Sequence, residues 1–238
     1  MLKERIRQWR HVFKLDPNRA LPDRALERIC LSGTDAIVIG GTDGITSQNT
    51  RELLDRVEEY PVECVQEVSH PDAVIPGLEG YLIPSVLNAG SLEWVLGAQH
   101  QALKRYGEWI PWEDIAVLGY VVLNPKSRVG RLTKCKTDLM EADLTAYGRL
   151  VEHLFQMPAL YVEYSGVFGD KAMVEAGRLG VSQTRLFYGG GIAKEEDART
   201  MAAIADTVIV GNLVYLNVDA AVKTVQWVKE TEKSYRHR

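Results

Sequence analysis

Short apolar runs alternate with amphipathic stretches along almost the whole chain. The apolar runs are mostly continuous, a pattern typical of parallel strands that are buried on both faces. They predict strands at residues 12–15, 36–39, 62–68, 81–85, 117–123, 159–163, 185–188 and 207–210. The amphipathic stretches predict helices at residues 22–32, 46–59, 91–106, 143–156, 170–179, 194–204 and 217–232. Strands joined by helices in this way favour an α/β fold of the TIM (β/α)8 barrel type, with a doubly wound open sheet as the alternative.

The connection between the third and fourth predicted strands differs from the others. Residues 69–80 contain two prolines and two glycines, and the segment is too short and too broken for a stable helix. We therefore expect an extended loop in place of the third helix. No linker, repeat or low-complexity segment divides the sequence, so we expect one domain over residues 1–238.

The charge balance bears on the kind of partner. Lys and Arg together number 28 and Asp and Glu 32, which gives a formal net charge of −4. A general nucleic-acid binder needs a basic face, so this composition predicts no nucleic-acid partner. The mean hydropathy is −0.14, and no apolar run approaches the length of a transmembrane helix. The charged first residues lack the apolar stretch of a signal peptide.

Cysteine and histidine spacing gives no sign of a disulfide framework or a metal cluster. Cys30, Cys64 and Cys135 are widely scattered and form no CxxC pair. No two histidines have the spacing of metal ligands. The sequence therefore predicts a reduced, cytoplasmic protein.

Polar and glycine-rich segments follow several predicted strands. They are KLDP at 14–17, GGTDG at 40–44, EYSG at 163–166, YGGG at 188–191 and GN at 211–212. The carboxyl ends of the strands form the active face of a barrel, and glycines there let backbone N–H groups approach a phosphate. The alternative for any one segment is a simple tight turn.

Carboxylates in two of these segments are candidates for chemistry. Asp16 could hold Mg²⁺ together with the hydroxyl of Thr42, and Lys14 offers a charge for phosphate, but Asp16 could equally be a turn or cap residue. Glu163 could act as a general base, with a structural ion pair as the alternative. Residues 124–136 carry five basic residues and no acidic one. This segment could bind a diphosphate or anionic headgroups, or could be a solvated, mobile loop.

Motifs spread over nearly the whole chain carry a family resemblance. They are FKLDP at 13–17, IGGTDG at 39–44, YLIPSVLN at 81–88, YVEYSG at 161–166, LFYGGGI at 186–192 and VIVGN at 208–212. In this order they closely resemble the geranylgeranylglyceryl/heptaprenylglyceryl phosphate synthase family. The match is closest to its bacterial heptaprenylglyceryl phosphate synthase branch, the PcrB type.

The resemblance implies a fold and a reaction. The fold is a modified TIM barrel, usually a homodimer, whose third helix is replaced by an extended strand or loop. The reaction moves a polyprenyl group from its diphosphate to the 3-hydroxyl of sn-glycerol-1-phosphate with Mg²⁺, and the product is an ether lipid precursor. The resemblance places Lys14 at the glycerol phosphate and Asp16 and Thr42 at the Mg²⁺. The other glycerol-phosphate contacts fall on Tyr161, Val162, Glu163, Tyr164, Ser165, Gly166, Gly191, Gly211 and Asn212.

The length of the prenyl chain depends on an apolar groove beside the barrel. We place helix 91–106 along that groove, and the small residue Ala102 on this helix favours a C35 tail over a C20 tail. A lipid substrate also suggests peripheral contact with a membrane surface. The alternatives are the same reaction with a geranylgeranyl donor, a phosphosugar isomerase on the same barrel, and a non-catalytic polyprenyl phosphate-binding protein.

Overall fold

Eight parallel strands close into a barrel in the computed structural model, which describes residues 1–235. The strands are β1 (His11–Leu15), β2 (Ala36–Ile39), β3 (Glu63–Glu67), β4 (Tyr81–Val86), β5 (Ile115–Val122), β6 (Ala159–Glu163), β7 (Arg185–Gly189) and β8 (Thr207–Val210). Each strand pairs with the next, and β8 closes the ring by pairing with β1, for example Phe13 with Val210. The predicted (β/α)8 barrel is confirmed, and the open-sheet alternative is wrong.

The helices surround the barrel. They are α1 (Leu2–Arg5), α2 (Asp23–Cys30), α3 (Ser47–Val57), α4 (Gly97–Tyr106), α5 (Arg128–Thr133), α6 (Glu141–Arg149), α7 (Lys171–Leu179), α8 (Glu195–Ala202), α9 (Leu213–Leu216) and α10 (Val218–Lys229). Shorter turns lie at Pro71–Ala73, Leu92–Trp94, Gly107–Trp109, Trp112–Asp114 and Leu150–Leu154. No helix within residues 1–235 has both the length and the apolar character needed to cross a bilayer.

Strand residues alternate between two hydrophobic cores. Val12, Val38 and Leu118 belong to the core inside the barrel, and their neighbours such as Phe13 and Ile37 pack against the helices. Because side chains alternate along a strand, the inward series continues to polar residues at the carboxyl ends. These polar residues are Lys14, Glu67, Tyr120, Tyr161 and Glu163. The fold thereby gathers them at one end of the barrel.

The loop predicted between β3 and β4 is confirmed. Residues 69–80 contain only the short 3₁₀ turn Pro71–Ala73 and no α-helix. The loop is held by the buried side chain of Gln66, which donates from Nε2 to the carbonyl of Ala73 (2.7 Å) and accepts from the amide of Ile75 (3.0 Å). Because these residues form a loop, no helix between β3 and β4 covers the side of the barrel next to α4.

Two predicted helices differ from those observed. The stretch 91–106 begins as a separate 3₁₀ turn capped by Ser91, because Ser85 Oγ donates to the carbonyl of Val95 (2.9 Å) and α4 starts only at Gly97. The stretch 143–156 begins two residues early, since the Asp143 carboxylate accepts from the amide of Met140 (2.8 Å). Both shifts come from side-chain hydrogen bonds at helix ends.

A buried ion cluster lies at the other end of the barrel, just before β8. The fully buried carboxylate of Asp206 pairs with Arg178 (2.8 Å), Arg185 (3.3 Å) and Lys233 (2.6 Å). These cations keep the pKa of Asp206 well below its usual value in spite of burial. The cluster ties α7, β7 and the C-terminal segment together at the end away from the polar strand ends, which indicates a role in stability.

Candidate active site

A polar cavity of about 610 Å³ opens at the carboxyl ends of the strands. Ten of the sequence-predicted site residues line it, namely Lys14, Asp16, Thr42, Tyr161, Glu163, Ser165, Gly166, Gly191, Gly211 and Asn212. Val162 and Tyr164 do not line it. Val162 packs in the hydrophobic core between the strands and the helices. The ring centroid of Tyr164 lies 6.4 Å from that of Tyr188.

Lys14 sits in a buried hydrogen-bonded group at the floor of this cavity. Its ammonium donates to Glu67 Oε1 at 2.6 Å, and the hydroxyl of Tyr120 donates to the other carboxylate oxygen of Glu67. Burial by itself lowers the pKa of Lys14, but Glu67, Glu163 and Asp16 together raise it above the usual value. Lys14 therefore carries a fixed positive charge.

Glu163 lies beside Lys14 and is only 5% exposed. Burial raises the pKa of its carboxyl, while the charge of Lys14 and a hydrogen bond donated by Ser165 Oγ oppose that rise. A carboxylate with a raised pKa at a cavity floor can accept a proton from a bound hydroxyl. Glu163 is therefore a candidate general base.

Asp16 and Thr42 place a carboxylate and a hydroxyl on the rim of the same cavity. Asp16 Oδ1 accepts from the amide of Asn18 (2.9 Å), so the residue also stabilises the turn, and its Oδ2 accepts no hydrogen bond within residues 1–235. Gly41 leaves the room this carboxylate needs, since a Cβ there would lie 2.8 Å from Asp16 Oδ1. No cluster of three or more His, Cys, Asp or Glu side chains suited to a metal occurs in the described residues. One carboxylate and one hydroxyl fit Mg²⁺, which keeps waters and phosphate oxygens in its shell.

Glycine-rich backbone after β6, β7 and β8 forms another part of the cavity wall. Gly191 has φ +50°, and a Cβ there would overlap the backbone of Phe168, so no larger residue fits. Gly211 and Asn212 follow β8, and Ser165 and Gly166 follow β6 on the same wall. Exposed backbone N–H groups at such turns suit a phosphate.

A second, apolar cavity lies between the barrel end and α4. Its volume is about 140 Å³, and its walls include Ile83, Pro84, Val86, Trp94, Ala98, Ala102 and Leu132. Lys14, Thr42 and Glu163 line both this cavity and the polar one. Ala102 also lines a third cavity of about 600 Å³ that continues along α4. The third cavity also has charged side chains in its walls, among them Asp72, Glu93, Lys104 and Arg105. A molecule whose head group lies in the polar cavity could thus place an apolar tail in the second cavity, beside Ala102.

The basic segment contains a helix, which does not fit the alternative of a solvated, mobile loop. Residues Arg128–Thr133 form α5, whose N-cap Ser127 accepts from the amide of Gly130 (3.0 Å). Asn124 anchors the segment by donating to the carbonyl of Ser165 (2.7 Å). Three of its five basic residues line the polar cavity.

Sequence reasoning missed Glu67, Tyr120, Arg19 and Tyr215. Glu67 lies in the predicted strand 62–68 and ends the observed β3 on its inward-facing side, so strand alternation could have found it. Arg19 stacks on the ring of Tyr215 at 3.7 Å from its centroid and donates to Asn212 Oδ1 at 2.9 Å. That contact joins residues far apart in sequence, and no local pattern signals it.

Comparison with known proteins assigns the family. The sequence model described as the PcrB family matches residues 4–229. The chain belongs to the PcrB family. Among curated PcrB relatives, the heptaprenylglyceryl phosphate synthase of Geobacillus kaustophilus is 49% identical over 227 residues, which is 95% of each chain. The heptaprenylglyceryl phosphate synthase of Bacillus mycoides is 49% identical over 224 residues, covering 94% of this chain and 98% of that one.

Solved structures support the PcrB assignment at the level of the fold. The (S)-3-O-geranylgeranylglyceryl phosphate synthase of Thermoplasma acidophilum, solved with its substrate sn-glycerol-1-phosphate, has a TM-score of 0.81 at 24% identity over 97% of each chain. The wild-type GGGPS of Thermoplasma volcanium has a TM-score of 0.82 at 18% identity, over 100% of this chain and 99% of that one. The family resemblance inferred from the motifs is confirmed.

Proposed function

We propose that this PcrB-family protein is a prenyltransferase that moves a long polyprenyl group, heptaprenyl (C35), from its diphosphate to the 3-hydroxyl of sn-glycerol-1-phosphate. The observation that carries the proposal is the meeting of a polar and an apolar cavity at Lys14, Thr42 and Glu163. A phosphosugar isomerase has no use for the apolar cavity. The 49% identity to heptaprenylglyceryl phosphate synthases over nearly the full chain supports the same reaction. We take the described barrel as one domain that contains the whole site.

In this mechanism the chain's own residues position the acceptor and move one proton. The glycine wall at Gly166, Gly191 and Gly211 holds the phosphate through backbone N–H groups, and Lys14 adds a positive charge. Glu163 accepts the proton of the 3-hydroxyl as the oxygen attacks the first carbon of the prenyl chain. The C–O bond to the diphosphate breaks in the same step, and its electron pair leaves with the diphosphate.

Asp16 and Thr42 would hold Mg²⁺. When bound there, Mg²⁺ supplies charge neutralisation for the diphosphate leaving group. Asp16 is fixed for this role by its backbone, whose amide donates to the hydroxyl of Tyr215 at 2.8 Å. Its carboxylate also accepts a hydrogen bond from the amide of Asn18 in the local turn. The two interpretations of Asp16 from the sequence, a Mg²⁺ ligand and a turn residue, are therefore compatible.

A direct assay tests the reaction. Purified protein, Mg²⁺ and sn-glycerol-1-phosphate are mixed with C15, C20, C30 or C35 prenyl diphosphate, and products are read by mass spectrometry. We expect prenylglyceryl phosphate, with the largest yield at C35. A maximum at C20 would keep the reaction and contradict the chain length. Bound glycerol phosphate without product from any donor would favour a non-catalytic binding protein.

Ala102 should set the accepted chain length. It lines both the small apolar cavity and the larger cavity along α4, so an indole at this position would close the passage between them. We expect Ala102→Trp to lower kcat/KM for the C35 donor at least tenfold and to spare the C15 donor. The matched control is Leu103→Trp, because Leu103 is 43% exposed and lines neither cavity. Unchanged selectivity in Ala102→Trp would contradict the groove.

The proposal includes a homodimer and a peripheral membrane contact. Leu92 and Leu96 are 76% and 64% exposed near the apolar cavity, and Trp109 and Trp112 are 75% and 60% exposed before β5. Apolar surface of this kind supports contact with another copy or with lipid. Sedimentation velocity and vesicle co-sedimentation test the two contacts separately.

A further inference from the structure

Three basic side chains of the segment after β5 face the proposed reaction site and have no role in the mechanism above. Lys126, Arg128 and Arg131, here called the basic arm, line the polar cavity. Lys134 and Lys136 come from the same basic run and line neither the polar nor the apolar cavity. The run is therefore divided by the fold into a cavity-facing part and an outer part.

The basic arm is held in place by its backbone. The amide of Lys126 donates to Asn124 Oδ1 at 2.9 Å, and Arg131 Nη1 donates to the carbonyl of Lys126 at 2.8 Å. Gly130 makes the tight turn possible, since a Cβ there would lie 2.6 Å from the carbonyl oxygen of Asn124. A fixed backbone lowers the entropy that an arm of long side chains loses on binding a ligand.

The charge of the basic arm is largely unpaired within residues 1–235. Lys126 and Arg131 form no ion pair there. Arg128 pairs with Asp43 at 3.3 Å, and both side chains are more than half exposed, so solvent weakens this pair. The carboxylates that line the polar cavity are Asp16 and Glu163, while its basic residues are Lys14, Arg19, Lys126, Arg128 and Arg131. Even when Glu67 and Asp43, the partners of Lys14 and Arg128, are counted, the five basic residues outnumber the four carboxylates, so positive charge remains in excess.

The location of the basic arm points to the donor rather than the acceptor. Val129, between two members of the arm, lines both the polar and the apolar cavity, and Leu132 lines the apolar one. The glycine wall for the acceptor phosphate follows β6, β7 and β8, whereas the arm follows β5. A molecule whose anionic group lies beside the arm could therefore place a covalently attached apolar tail in the apolar cavity.

We propose that the basic arm binds the diphosphate group of the prenyl donor and retains it as a leaving group. This inference rests on the proposed function, because it takes the donor to be a prenyl diphosphate. Lys and Arg donate charge-assisted hydrogen bonds to phosphate oxygens, and Arg can do so through two N–H groups at once. Among the roles that the sequence left open for this segment, namely a diphosphate site, an anionic-headgroup site and a solvated loop, the proposal selects the diphosphate.

The test compares two double variants with equal loss of charge. Lys126→Gln/Arg128→Gln removes two members of the arm, and Lys134→Gln/Lys136→Gln removes the two outer lysines. For each protein, calorimetry with inorganic pyrophosphate measures binding without turnover. Steady-state kinetics give KM for the donor that wild type accepts best and, separately, KM for sn-glycerol-1-phosphate. Thermal unfolding confirms that both variants are folded.

We expect the arm variant to bind pyrophosphate about tenfold or more weakly and to raise the donor KM by a similar factor. Its KM for sn-glycerol-1-phosphate should stay within about twofold of wild type, and the outer-lysine variant should match wild type throughout. Equal losses in both variants, or an effect confined to the glycerol-phosphate KM, would overturn the assignment. A wild type that binds pyrophosphate through the arm yet forms no prenylglyceryl phosphate would instead overturn the proposed function.

Discussion

Asp16→Ala is expected to lower turnover about a thousandfold or more while the barrel stays folded. The substitution removes the one carboxylate on the cavity rim that, with Thr42, would hold Mg²⁺. The structural loss is small, because the backbone bonds to Tyr215 remain and only the bond from the amide of Asn18 is lost. One exposed hydrogen bond of this kind is worth about 1 kcal/mol.

The matched control for this variant is Asp23→Ala. The side chain of Asp23 is 92% exposed and lies outside the cavity, so its removal deletes the same charge without touching the site. Turnover is measured at saturating Mg²⁺, Mg²⁺ binding by calorimetry, and folding by circular dichroism. Wild-type turnover in Asp16→Ala, or equal losses in both variants, would contradict the role given to Asp16.

Glu163→Gln should lower kcat about a hundredfold or more, the contribution typical of a positioned general base. The amide keeps the shape and can still accept from Ser165, but it cannot take the proton of the acceptor hydroxyl. Glu163→Asp, which keeps a carboxylate one methylene shorter, should recover part of the activity. Full activity in Glu163→Gln would show that another group accepts the proton.

The pH profile separates a base from a binding residue. A base works when deprotonated, and burial raises the pKa of Glu163 above its usual value of 4.5. In wild type, kcat/KM should therefore fall as the pH drops through this raised pKa, and the same acid limb should be absent from Glu163→Gln. An identical acid limb in both proteins would assign it to another group.

The sequence predicted the architecture well because the barrel depends on a repeating local pattern. Continuous apolar strands require cover on both faces, and only helices between parallel strands supply it. The break at residues 69–80 was equally visible, since prolines and glycines exclude a helix wherever they occur. Helix α5 was missed because its stability comes from Ser127, Gly130 and the anchoring Asn124, a cap and contacts that hydrophobic periodicity does not register.

The site was predicted where chemistry follows directly from a strand end. Lys14 and Glu163 lie within the last two positions of their strands, Asp16 and Thr42 follow strands, and all four residues line one cavity. The partners of these residues were not predicted, because their contacts span distant segments. Glu67 reaches Lys14 across 53 positions, so the charge state of the lysine is a property of the closed barrel and not of its motif.

The hydrogen bonds between Asp16 and Tyr215 have a consequence for protein synthesis. The amide of Asp16 donates to the tyrosine hydroxyl, which in turn donates to the carbonyl of Asp16 at 3.3 Å, over 199 positions of chain. Asp16 is synthesised 199 residues before its partner. A nascent chain that has not reached Tyr215 therefore lacks the hydrogen bonds that support the residue proposed to hold Mg²⁺, so we expect activity only after the segment that contains Tyr215 has been made.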